Sequence, residues 1–278
     1  MGLDQNGQLA AVVVAYFGVT FILSVFVCVR HGFARQQGWF YLALLSAVRI
    51  ASGACEIAGE QDRDVSVLIA AGVLGSIGLI PLLLAALGLM TRVNDGMEDH
   101  HRMKPRYFSI MHLIGLVTLI LSIYGGVKMG DSDNPANGGD DDESSKYRKV
   151  VSILLLVLYL LIVGLTVLCT IRLRHAFPGD RSLVFAVLAA LPFLLVRVIY
   201  SIIVAFSNIG SDFYILDVNI WAKAFMQYTM EFIIVAFLVA AGFATDKVKK
   251  AAVGEAGPQY LPMGSRRHEG HSGQAQAH

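Results

Sequence analysis

Charge is scarce in this chain. Asp, Glu, Lys and Arg make up 15% of 278 residues, hydrophobic residues 55%, and the mean hydropathy is +0.61. Soluble domains carry about 25% charged residues, so a soluble fold is excluded. Cysteine is scarce as well: Cys28, Cys55 and Cys169 each lie in an apolar segment and form no CxxC pair. That excludes a disulfide or zinc framework and leaves buried free thiols. There is no N-x-S/T sequon, and the first apolar segment has no basic region ahead of it, so no cleavable signal peptide is expected. A net charge of +1 gives no reason to expect a nucleic-acid partner.

What the chain does have is long apolar runs. Seven read as membrane spans, at about 9–29, 39–58, 65–90, 107–129, 149–171, 183–205 and 219–244. The predicted fold is an all-α, polytopic bundle over residues 1–245, followed by a disordered cytosolic tail, 246–278. Of 22 Lys and Arg, only Arg63, Lys128, Lys146, Arg148 and Lys149 fall in the N-terminus and even loops, while Arg49, Arg197 and Lys223 fall inside spans. The remainder lie in the odd loops and tail, so the positive-inside rule puts the C-terminus in the cytosol and the N-terminus lumenal or outside. The acidic loop 130–145 lacks EF-hand spacing and reads as a mobile lumenal loop. His268, His271 and His278 are too loosely spaced for a metal site, and no cofactor is expected.

Several features are expected to shape the bundle. Pro81 and Pro192 should kink their helices. Gly72, Gly75 and Gly78 should let the third span pack closely on a neighbour. Trp39, Phe40, Tyr41 and Tyr107 read as interfacial aromatics.

Inside the spans the few polar groups are informative. Ser46, Arg49, Gly53, Glu56 and Glu60 recur at three- and four-residue steps and form one seam on the second helix. A second seam, on the seventh, joins Asp217, Trp221, Ala224, Tyr228 and Glu231. Arg197 is central in the sixth span, with Tyr200 and Ser201 following, and His112 enters the fourth. Ionisable residues at such depth must face protein or a wet cavity and need partners. Arg49 and Arg197 could simply neutralise Glu56 and Glu231 across the bundle, and His112 alone reads as a packing residue. Taken together, the set suggests a site with Glu56, Glu231, Arg49, Arg197, Asp217 and His112 as catalytic candidates. Tyr200, Trp221 and Tyr228 would contact a lipophilic small-molecule substrate arriving from the membrane lipids.

An apolar pocket penalises a carboxylate anion, so a carboxylic acid there can donate a proton. Protonating an epoxide or alkene would start a carbocation cyclisation, steadied by aromatic faces and protected from water. No metal is needed, and no aspartate-rich magnesium-diphosphate motif lies in a span.

In RIASGACE (49–56), SIGLIPLLLAALGL (76–89) and LPFLLVRVIYSII (191–203) the chain resembles a fungal family of seven-helix membrane proteins. In size and layout it is similar to the membrane-bound terpene cyclases of ascochlorin- and ascofuranone-type meroterpenoid pathways. The likeness covers most of residues 9–245. It implies epoxide-initiated cyclisation of a farnesyl chain on an aromatic core, in the endoplasmic reticulum or plasma membrane. Paxilline-type cyclases carry one carboxylate on an early helix and one on a late helix, as Glu56 and Glu231 are placed here. Their early Trp-Glu pair is Cys55-Glu56 in this chain.

Rhodopsin-type photochemistry would need a lysine mid-way along the last span, where Glu231 stands. A receptor of the G-protein-coupled type would show DRY- and NPxxY-like runs, which are absent. The rival reading is a seven-helix lipid or small-molecule exporter without covalent chemistry, although no motif-level repeat supports an inverted-repeat transporter.

Overall fold

The computed structural model describes residues 5–31, 37–62, 64–97, 102–130, 142–172, 181–207 and 219–245. Among them every regular element is helical: α1 (Gln5–His31), α2 (Gln37–Asp62), α3 (Val65–Ile77), α4 (Leu79–Asp95), α5 (Pro105–Gly130), α6 (Asp142–Ile171), α7 (Arg181–Phe206), α8 (Ile220–Ala222) and α9 (Met230–Ala244). A π-helical segment, Lys223–Thr229, joins α8 to α9. Taken as spans, α3 with α4 and α8 through α9 are each continuous enough to cross a bilayer. Among the described residues there are thus seven such helices, and the chain is a multi-pass membrane protein. Tail residues 246–278 and most of the acidic loop lie outside the described residues.

Helix α4 is the hub. Its run LIPLLLAALGLM is apolar on all sides, as a fully surrounded helix requires, and every residue of α4 except Thr91, Asp95 is buried. Helices α2, α5, α6 and α7 pack around it, with α1 against α2 and α9 against α7. The outward faces carry Ile22, Phe26, Ile120 and Ile153, each more than half exposed. Such a girdle is stable against lipid and not against water.

Two expectations are corrected. Pro81 does more than bend the third span: α3 stops at Ile77 and α4 begins after Gly78. Proline has no N–H for the Ile77 carbonyl and its ring crowds that oxygen. Helix α7, by contrast, runs unbroken through Pro192. Trp39 is not interfacial but fully buried, with its ring against Gly242 at the far end of α9; a Cβ on that glycine would stand 2.6 Å from Trp39 Cη2. Phe40 and Tyr107 are exposed and Tyr41 is partly buried. Cys28 and Cys169 are buried, Cys55 is partly so, and all three are free thiols.

Candidate functional site

The polar seam of α2 turns inward, and its centre is Arg49, fully buried at mid-helix. Its guanidinium fits because Gly78, where α3 meets α4, carries no side chain. At Gly78 a Cβ would lie 2.8 Å from Arg49 Cζ, so only glycine leaves room there. The side chain reaches Glu231 on α9, also fully buried, and Nη2 donates to Glu231 Oε1 at 2.5 Å. From α7, Arg197 joins the same oxygen, with Nη2 at 2.7 Å and Nε at 2.8 Å. Two cations therefore share one carboxylate at the middle of the bundle. Tyr16 on α1 donates its hydroxyl to the Phe232 carbonyl at 2.8 Å and secures α9 beside the triad.

A second ion pair lies nearer the end of the bundle that carries Asp62 and Phe206. Lys223 donates to Glu56, which is 7% exposed. Alpha-helical spacing would not bring Lys223 here. Residues five apart on an α-helix differ by about 140° in azimuth, whereas an i→i+5 ladder stacks them. Lys223 and Tyr228 are five apart across the π segment, and Lys223 Nζ is 5.9 Å from the Tyr228 ring centroid. The hydroxyl of Thr229 follows the same ladder, donating to the Ala224 carbonyl five residues back at 2.9 Å.

The aromatic faces are occupied by protein cations. Arg49 Cζ is 5.5 Å from the Tyr228 centroid, so that ring stands between Arg49 and Lys223, and Arg197 Cζ is 5.6 Å from the Tyr200 centroid. Such contacts are worth about 2 kcal/mol or more where desolvated.

Beside these groups is a chamber of about 100 Å³. Its polar wall includes Arg197, Lys223, Arg148, Gln227, Tyr200 and Tyr228, with Gly72 and Gly75 also lining it, and among the described residues no carboxylate does. An open groove of about 770 Å³ lies alongside, almost wholly apolar, between α2, the third span and α5. Val73 and Gly126 line both spaces and form the partition. They are in tight contact: a Cβ on Gly126 would come within 2.3 Å of Val73 Cγ1.

Of the residues read from sequence, Glu231, Arg49, Arg197, Tyr228 and Tyr200 converge. Glu56 is nearby but bonded to Lys223, and both acids are engaged by cations rather than isolated in an apolar pocket. Trp221 is corrected: it is 79% exposed, because the π segment rotates everything before it relative to Tyr228. His112 is corrected as well. It lies two turns of α2 away, Nδ1 2.9 Å from the Phe108 carbonyl and its ring 6.0 Å from Tyr41. Asp217 lies outside the described residues. Lys223 and Gln227 were missed, and only the π segment, which spacing does not announce, brings them in. Gly75 and Gly78 bring the third span close to α2, as expected, and there leave room for Arg49.

Fold and site together define a class: a seven-helix membrane protein with a basic, partly enclosed chamber next to a lipid-facing groove. The chain belongs to the family described as Domain of unknown function (DUF7702), whose model matches residues 3–248. Comparison with curated proteins and with solved structures finds no match.

Proposed function

We propose that this chain is a lipid- or small-molecule-handling membrane protein. It takes the anionic headgroup of a lipophilic molecule into the chamber and moves it without covalent change. The observation that carries this is the sign of the wall: Arg197 and Lys223 line it and, among the described residues, no acid does. The adjoining groove would carry the hydrocarbon chain once Val73 moves off Gly126, the contact that separates the two spaces. By the charge asymmetry of the loops, the chamber lies in the lumenal half, in the endoplasmic reticulum or plasma membrane.

Charge weighs against the rival, a terpene cyclase. The chamber alone, at about 100 Å³, is smaller than the roughly 300–1,000 Å³ of pockets for drug-sized ligands, so a farnesyl chain would also need the groove. A carbocation at roughly 6 Å from one guanidinium would be raised by about 3 kcal/mol at an effective dielectric of about 20. What favours the cyclase is the placing of Tyr200 and Tyr228 at the chamber wall together with the resemblance in RIASGACE and LPFLLVRVIYSII.

The test uses full-length protein in nanodiscs, titrated with dodecyl phosphate and with dodecyltrimethylammonium. Only the anion should bind, and Lys223→Gln should weaken it about tenfold, about 1.4 kcal/mol. Preference for the cation would end this reading. Microsomes given a farnesylated aromatic epoxide provide the other arm. An isomer of equal mass, lost in Glu231→Gln and Glu56→Gln proteins that still insert, would establish the cyclase instead.

A further inference from the structure

Three polar atoms approach one point beside Gly75; Gly75 and Gln227 line the chamber, and Ser52 and Arg49 stand behind that wall. The position that a Cβ on Gly75 would take is 3.6 Å from Gln227 Nε2, 3.6 Å from Ser52 Oγ and 3.7 Å from Arg49 Nη1. Ser52 has already given its proton to the Ala71 carbonyl, at 2.9 Å. The two nitrogens remain as donors. Arg49 is fully buried, Glu231 is bonded through Nη2, and Nη1 has no hydrogen-bond partner among the described residues. A buried guanidinium N–H without an acceptor is costly, and an oxyanion is the group that satisfies it best.

Charge points the same way. Among the described residues, the cluster formed by Arg49, Arg197, Lys223, Glu56 and Glu231 has three cations and two carboxylates. A positive charge in excess at mid-bundle favours an added anion. The volume admits a compact anion: at about 100 Å³ the chamber has room for a tetrahedral oxyanion.

We infer that the Gly75 end of the chamber is an oxyanion subsite for the phosphate group of a phosphate monoester carried on a lipophilic chain. Arg49 Nη1 and Gln227 Nε2 donate to its oxygens, while Arg197 and Lys223 supply charge. This rests on the anionic-amphiphile reading above and names its headgroup. The absence of a side chain at Gly75 is what keeps the subsite open. A methyl group there meets its neighbours at ordinary van der Waals distance, so alanine is tolerated by the fold and takes the ligand's place. In a helix alanine is also the more stable of the two.

The experiment measures dodecyl phosphate binding to full-length protein in nanodiscs, by titration and by ³¹P line broadening. It compares wild type, Gly75→Ala and Gln227→Leu. Gly75→Ala should keep or raise the melting temperature and weaken binding at least thirtyfold; Gln227→Leu should weaken it about tenfold. Dodecyl phosphocholine, with its bulkier diester head, should bind at least tenfold more weakly than dodecyl phosphate to wild type. If wild type binds dodecyl phosphate and both variants bind it equally well, the subsite is overturned and the wider reading stands. If wild type binds no anionic amphiphile, both fall. Inorganic phosphate binding as tightly as dodecyl phosphate would overturn a chain-borne headgroup, as tighter binding of laurate would overturn phosphate.

Discussion

Glu231→Gln should lower the stability of the detergent-solubilised protein by about 3–5 kcal/mol, the cost of breaking a buried ion pair from one side. The carboxylate that accepts from Arg49 Nη2 and Arg197 Nε, with Arg197 Nη2 also at 2.7 Å, is the only anion on these two guanidiniums among the described residues. Glutamine keeps the shape and one acceptor but leaves both cations uncompensated. The pairing itself contributes far less than that loss, because desolvation offsets most of its attraction. Hence Arg49→Met added to Glu231→Gln should restore part of the stability by removing one of the stranded charges. Buried Cys28 and Cys169 supply the readout, since a thiol-reactive fluorogenic dye reports them only on unfolding. An unchanged melting curve for Glu231→Gln would mean that the triad does not hold the helices in register.

Gly78→Val should come next in size, at about 1–3 kcal/mol, the usual range for overpacking a filled interior. A Cβ at this position lies 2.8 Å from Cζ and Nη2 and 2.9 Å from Nε of Arg49. The guanidinium cannot swing aside without stretching its bond to Glu231. Three residues earlier, Gly75 meets the same arginine at 3.7 Å and tolerates a methyl group. Two glycines on the same span therefore respond with opposite signs. Dye-monitored melting of Gly78→Val and Gly75→Ala in parallel checks this, and equal destabilisation of the two would contradict it.

The spans were legible because crossing about 30 Å of hydrocarbon takes about twenty apolar residues, and each run meets that requirement without reference to its neighbours. The need for partners at Arg49, Arg197 and Glu231 was legible for a similar reason: depth alone makes an unpaired charge untenable. Which group meets which was not. Both arginines fall on Glu231, and Glu56 takes Lys223, a residue that α-helical spacing turns away from Tyr228. Trp39 looks interfacial until Gly242, some two hundred residues later, is seen to receive its ring.

Hydropathy and charge are properties of one segment at a time, so composition was enough to establish seven buried helices and a handful of ionisable groups among them. Pairing, by contrast, depends on the azimuth of each helix against the others. One π turn between α8 and α9 resets that azimuth, swings Trp221 outward and brings Lys223 to the wall. Which charged side chains face the chamber was therefore decided only by the packed bundle.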